Sequence, residues 1–202
     1  MMTNSLNIGS IKAKQHKGKV VLFFPHFGPG SQDNSWFPFP YLYLAPFLEK
    51  TGYAVKIIDA RVEPDWKNIL TKELKDSLAL GVTSMSGPDL IPAIEASEIA
   101  RGMDNNVHII WGGHHASALP DEIFEAGVTD YVLLGPAEFT FPKLLDAIYL
   151  KQEIPSDVKG ILYKRNGKII GNRKINFPVF HYEDTPAYHL LDIEKYRSKN
   201  NV

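Results

Sequence analysis

Five short apolar runs recur along the chain, at residues 20–24, 54–58, 78–82, 107–111 and 131–134, and most are continuous rather than alternating. Continuous apolar strands are buried on both faces, which is the condition of a parallel sheet covered by helices. Stretches with helical spacing lie between the runs. Tyr43, Leu44, Phe47 and Leu48 make one apolar stripe with Gly52 just beyond as a stop, and Trp66, Ile69, Leu70 and Leu74 make a second behind Asp65 as N-cap. A third runs over 88–103 through Leu90, Ile91, Ile94 and Ile99; a fourth from Thr140 carries Leu144, Leu145 and Ile148. A short helix over 120–125, ended by Gly127, joins the last two strands. Pro92 and Pro142 fall in first turns, where proline is tolerated, whereas Pro46 falls inside its helix and predicts a bend or a late start.

This alternation predicts an α/β fold: a doubly wound, flavodoxin-like (Rossmann-like) five-stranded parallel sheet in the order 2-1-3-4-5. In such sheets ligands sit outside the carboxyl ends of the strands, at the switch point between strands 1 and 3. Residues 161–163 and 168–170 flank Asn166-Gly167, a dipeptide that accepts positive φ at both turn positions, and so predict a C-terminal β-hairpin. From Asn176 the chain reads as a proline-broken linker that ends without a terminal element. The expected organisation is a flexible N-terminal lead-in over 1–18, one binding domain over 19–152, and the hairpin and linker over 153–202.

Charge and cysteine usage narrow the chemistry. Lys and Arg number 22 against 23 Asp and Glu, for a formal charge of −1, which offers no electrostatic case for nucleic acid. The chain has no cysteine, so thiol nucleophiles, disulfides, thiolate zinc sites and cysteine-ligated clusters are excluded from it. No apolar run approaches the ~18–20 residues of a membrane helix, and no apolar signal core follows the basic N-terminus. A soluble, cytoplasmic protein without a membrane partner is expected.

Four loops at the strand ends concentrate glycine, histidine and hydroxyl groups. The first, PHFGPGSQDNSWFPFP (25–40), holds His26, Phe27 and Gly28; it either offers flat apolar surface to a planar ligand or is a surface loop with buried anchors. It carries neither G-x-G-x-x-G nor G-x-x-x-x-G-K-[ST], so no dinucleotide or nucleotide phosphate cradle is supported. The loop after the third run, TSMSGP (83–88), places Thr83, Ser84, Met85 and Ser86 ahead of a helix, as ligand contacts or as capping groups. WGGHHAS (111–117) follows the fourth run, and its adjacent Gly112 and Gly113 imply that something bulky presses on the backbone beside His114, His115 and Ser117. No further His, Asp or Glu stands at ligand spacing, so no metal site is assigned. GPAE (135–138) closes the edge with Gly135, Pro136, Ala137 and Glu138; a helix-capping role is the alternative for the glutamate. No Ser-His-Asp order with a nucleophile elbow and no paired strand-end carboxylates occur, and no catalytic residue is assigned.

Taken together, FPYLYLAPFLEKTGYAV (39–55) followed by Ile57-Ile58-Asp59, GGHHASALPDE (112–122), TDYVLLGPAEFTFPKLL (129–145), KGILYKRNGKI (159–169) and TPAYHLLDIEKY (185–196) resemble the N-terminal cobalamin-binding domain of B12-dependent radical SAM proteins. That group includes the anaerobic magnesium-protoporphyrin IX monomethyl ester oxidative cyclase and many methyltransferases. The resemblance implies that the strand-end loops cradle the corrin, with the nucleotide tail lowered into a slot beside strands 1 and 3. It places Ser84, Met85, Ser86, Gly112, Gly113, His115, Gly135 and Glu138 on cofactor-facing positions. Gly-Pro-Ala-Glu stands where the family commonly has G-E-G-E. The D-x-H-x-x-G signature of other B12 domains is absent around His26, so cobalamin is expected base-off, without a lower axial histidine. The resemblance further implies a C-x-x-x-C-x-x-C motif for a [4Fe-4S] cluster that cleaves S-adenosylmethionine; with no cysteine here, that chemistry is expected in a downstream radical SAM domain, the partner of this module, and the chain reads as the N-terminal part of a larger oxidoreductase or methyltransferase. Two rival readings remain from the residues: a vestigial docking domain that has lost the cofactor, and a doubly wound small-molecule or nucleotide-sugar enzyme acting through His114, His115 or Glu138.

Overall fold

The computed structural model describes residues 16–28, 36–103, 106–175, 177 and 185–197. The lead-in expected over 1–18 lies outside these residues except for its last three, as do 29–35 of the first loop and much of the linker after 175. The strands are β1 (Gly18–Phe24), β2 (Tyr53–Asp59), β3 (Ser77–Thr83), β4 (His108–Gly112), β5 (Tyr131–Leu133), β6 (Ile161–Arg165) and β7 (Lys168–Gly171). The helices are α1 (Phe39–Lys50), α2 (Trp66–Leu74), α3 (Leu90–Arg101), α4 (Gly113–Ala118), α5 (Pro120–Glu125) and α6 (Thr140–Tyr149).

All seven strands form one sheet in the order β2-β1-β3-β4-β5-β6-β7. The first five are parallel and in the expected order, but the sheet is not five-stranded. The hairpin fuses to it, β6 pairing antiparallel with β5 through Val132 and Leu162. The physical reason is the edge that β5 would otherwise leave open: its unpaired backbone groups are satisfied by the next available strand. The turn is as expected, with Asn166 and Gly167 both at positive φ.

Successive strand residues face opposite layers. Val21 and Phe23 join the core under α2, α3 and α5, while Val20, Leu22 and Phe24 join the core under α1 and α6. The loop expected over 111–117 is instead the end of β4 and most of helix α4, entered through Gly113 at φ +88°. Nothing in His-His-Ala-Ser-Ala breaks a helix until Pro120 opens the next one. Helix α1 shows no late start: it runs through Pro46, with Pro40 in its first turn. Proline donates no hydrogen bond to the carbonyl four residues back, and that carbonyl, on Leu42, accepts the N–H of Ala187 at 3.0 Å. The C-terminal residues 185–197 are thereby seated on α1 and the β2 edge, where Tyr196 and Lys195 bond Asp59 and Glu63.

Candidate functional site

The carboxyl ends of β3, β4 and β5 meet under the first turns of α1 and α6, and there a slot of about 170 Å³ opens. Its floor is Gly81, Ile110 and Leu133, its walls Leu44 and Phe141, and its lip Thr83, Gly113 and residues 135–138. A dry apolar cavity of ~150 Å³ admits a benzene ring, so the slot takes an aromatic group of at least that size. It lies one strand away from the expected position beside strands 1 and 3. The cause is Tyr41, which is buried over that boundary with its hydroxyl 2.9 Å from the Phe23 carbonyl oxygen and 3.1 Å from that of Gly81. Burial holds the phenol protonated, pushing it well above its ordinary pKa.

Above the slot a second, shallower cavity of about 620 Å³ spreads along the rim, lined by Thr83, Gly113, His114, Ser117, Gly135 and Glu138 among others. Gly113 must be glycine: besides its positive φ, a Cβ there would stand 2.5 Å from Thr83 Oγ1 and 3.0 Å from the Ser84 carbonyl oxygen. The β3 and β4 loops are thus pressed together, and the His115 N–H donates to that same Ser84 carbonyl at 3.2 Å. Ser86 Oγ and His115 Nδ1 lie 3.0 Å apart and tie the loops a second time. Ser117 Oγ accepts the Gly135 N–H at 2.9 Å, joining the β4 and β5 loops. His115 is buried, His114 and Met85 are exposed at the rim, and Pro136 and Ala137 line the slot mouth.

Two buried oxygens in this region, Ser84 Oγ and Glu138 Oε2, have no hydrogen-bond partner in the protein. An orphaned buried acceptor costs about 1–3 kcal/mol, and a ligand carrying donors removes the cost. Neither serine of the β3 loop nor Glu138 caps a helix.

The first loop contributes differently. Phe27 and Trp36 pack on each other at 5.9 Å and on Phe24, partly buried against the core, so they anchor the loop as in the alternative reading. His26 Nδ1 accepts the Gly28 N–H at 3.1 Å, which ties that ring nitrogen to its own loop. Gly28, at φ +106°, brings this loop against Pro88 of the β3 loop. Among the described residues no group of three or more His, Asp or Glu is arranged to hold a metal ion.

Three contributors were given no role at the site from sequence. Asp89, buried at the head of α3, accepts the Met85 N–H through Oδ2 and leaves Oδ1 unpartnered; burial pushes its carboxyl above the ordinary value, against the opposing pull of the Met85 N–H and of His115. Its signal was the Asp that opens the apolar stripe after Gly87-Pro88. Asp59 and Arg61 form a buried pair whose guanidinium lies 3.9 Å from the Trp36 ring centre, fixing the end of the first loop. Ile175 packs on Gly135 from the far end of the chain, a contact without any local signal.

Fold and site define a doubly wound α/β domain whose carboxyl rim carries a broad shallow cavity above an aromatic-sized slot. The chain belongs to the B12 binding domain family, whose model matches residues 30–145. It is 29% identical over 167 residues to an uncharacterised methyltransferase of Pyrococcus horikoshii, covering 80% of this chain and 35% of the relative. It is 30% identical over 151 residues to the cytidylyl-2-hydroxyethylphosphonate methyltransferase of Streptomyces wedmorensis, covering 63% and 27%. The chain therefore spans about a third of the length of these curated relatives. The radical S-adenosylmethionine methyltransferase TsrM of Kitasatospora setae, solved with cobalamin and a [4Fe-4S] cluster, shares the fold at TM-score 0.67 and 20% identity, over 86% of this chain and 31% of that one. The cobalamin-dependent S-adenosylmethionine radical enzyme OxsB, with aqua-cobalamin and S-adenosylmethionine, does so at 0.59 and 20%, over 77% and 22%. No helix among the described residues is long and apolar enough to cross a membrane.

The residues present fit a cobalamin. The slot accepts an aromatic tail, the rim cavity above it has room for part of a bulky ring, and Glu138, which borders both, keeps a buried oxygen without a partner.

Proposed function

We propose that this chain is the cobalamin-holding module of a B12-dependent radical SAM methyltransferase. The observation that carries the reading is the slot of about 170 Å³ opening directly beneath a glycine-lined rim, with Glu138 at the junction of both cavities. Residues 112–117 and 135–138 would hold the corrin, with Thr83, Ser84, Met85 and Ser86 bordering it from the β3 side. The slot between α1 and α6 would take the tail base. Ser84 and Glu138 accept hydrogen bonds from the ligand's amide or hydroxyl groups. Bound cobalamin supplies a methyl-carrying cobalt, and the protein's part is position, exclusion of water and orientation. Room for the tail base in the slot, away from the rim, supports base-off binding.

With no cysteine in the chain, the [4Fe-4S] cluster and the S-adenosylmethionine site belong to a radical SAM domain of the same protein, which is this module's partner and keeps it in a reducing, cytoplasmic setting. The domain division is 19–152 for the binding module and 153–202 for the hairpin and connection. Methyl transfer is favoured over oxidative cyclisation because both curated relatives bear methyltransferase names. An open slot with orphaned acceptors favours a working site over a vestigial one.

The test is titration of the purified chain with hydroxocobalamin. The expected result is corrin retained through gel filtration, with the absorption spectrum of the base-off form. A spectrum of free, base-on cobalamin at micromolar protein refutes the reading.

A further inference from the structure

Resting on that reading, we infer that residues 172–175 and 177 form a strap across the rim, docked on Gly135 through Ile175, and that cobalamin binding displaces it. Gly135 lines both the slot and the rim cavity, and its missing side chain leaves room for a close neighbour. In this structure the neighbour is Ile175: a Cβ at residue 135 would overlap the Ile175 γ2 methyl. Ile175 and Phe177 also line the rim cavity itself. A ring pressed against Gly135 and the isoleucine methyl need the same space, so one excludes the other.

The strap's attachment matches a segment that yields. Up to Asn172 the chain is bound to the sheet, where the Asn172 N–H donates to the Ile161 carbonyl at 3.2 Å and its carbonyl accepts the Gly160 N–H at 2.8 Å. Gly171, at φ +124°, is the last residue of β7 and turns the chain there. Beyond Asn172, among the described residues, the strap is held by an ion pair between Arg173 and Asp121, both half exposed, by the Lys174 N–H donating to Asn172 Oδ1 at 3.0 Å, and by the apolar contact of Ile175. Exposed ion pairs of this kind contribute little and are screened by salt. Ile175 is 37% exposed and Phe177 74%, so neither is locked into a core. The strap thus covers part of the apolar rim and would give way to the corrin.

Arg173 and Lys174 make the strap a trypsin substrate, which gives a readout independent of any enzymatic activity. Full-length chain with and without saturating hydroxocobalamin is digested briefly, and cleavage after these two residues is quantified by mass spectrometry against cuts elsewhere. Cleavage there is expected to accelerate several-fold with cobalamin; an equal or slower rate while corrin is retained overturns the proposal. Ile175→Gly removes the competing methyl and Asp121→Asn removes the anchor outside the site. Each is expected to tighten cobalamin binding, by up to about tenfold for Ile175→Gly, a change equivalent to ~1.4 kcal/mol. Weaker binding by Ile175→Gly makes that residue a wall of the site and overturns the strap. If wild type takes up no cobalamin while both variants do, the strap stands as an inhibitory contact; if none of the three does, the cofactor reading itself fails and the strap with it.

Discussion

At the residue scale the site is made of groups that the folded protein alone serves badly. Gly113 stands at positive φ with Thr83 Oγ1 where a Cβ would be. Gly113→Ala is therefore expected to cost about 1–3 kcal/mol of stability and to abolish cobalamin retention, as read by chemical denaturation and the visible spectrum. Glu138 behaves in the opposite sense. With Oε2 buried and unpartnered, Glu138→Gln is expected to leave the cofactor-free chain as stable or more so, while cobalamin binding weakens about tenfold through loss of a charge-assisted bond. Equal affinity for variant and wild type shows that the carboxylate does not meet the ligand. Asp89 is the titrating member. Its folded-state carboxyl is raised by burial, so the fold favours the protonated acid, and stability is lost as pH rises from the ordinary Asp range through the raised value. Asp89→Asn keeps an oxygen for the Met85 N–H and removes the charge. Its denaturation midpoint is expected above that of wild type at pH 7, the gap closing as pH falls toward the ordinary range.

At the element scale the partnership of α1 with residues 185–197 turns on one proline. Pro46 frees the Leu42 carbonyl, and Ala187 takes it. Pro46→Ala supplies a competing N–H within the helix, so amide exchange at Ala187 is expected to accelerate by an order of magnitude or more, with the exchange of β1 and β3 unchanged; unaltered protection at Ala187 would show that side chains such as Tyr196 do the holding. The same bond marks the boundary of what could be read from sequence. Strands, helix stripes, the Asn166-Gly167 turn and the glycine-bearing loops were legible because each depends on neighbours within one or two turns of chain. The fusion of the hairpin to β5, the helix over 113–118 and the inward packing of Phe27 and Trp36 depend on which surfaces lie open once the sheet exists. Tyr41 lies outside the apolar stripe of Tyr43, Leu44, Phe47 and Leu48, and only the sheet reveals that its hydroxyl closes the β1–β3 boundary and moves the slot toward β4 and β5.

At the scale of the whole molecule the two faces of the sheet and its two ends divide the work. The cores under α2, α3 and α5 and under α1 and α6 hold the fold, while the carboxyl rim gathers the unpartnered oxygens of Ser84, Asp89 and Glu138 and exposed apolar groups such as Met85 and Phe139. A surface so composed is a local deficit in the free chain and a reserve of binding energy toward the right ligand. The consequence is thermodynamic. A ligand that binds only the folded chain stabilises it by ~2.7 kcal/mol when present at about a hundred times its dissociation constant, and for a domain of this size each kcal/mol shifts the unfolding midpoint by ~2–4 °C. Saturating hydroxocobalamin is thus expected to raise the midpoint of the wild-type chain by roughly 5–10 °C, as followed by calorimetry. Gly113→Ala, with its rim deformed, is expected to show no rise. A wild-type midpoint unmoved by cobalamin would mean that the rim's exposed groups answer to some other partner, since the deficit would then remain uncorrected by the ligand whose shape they match.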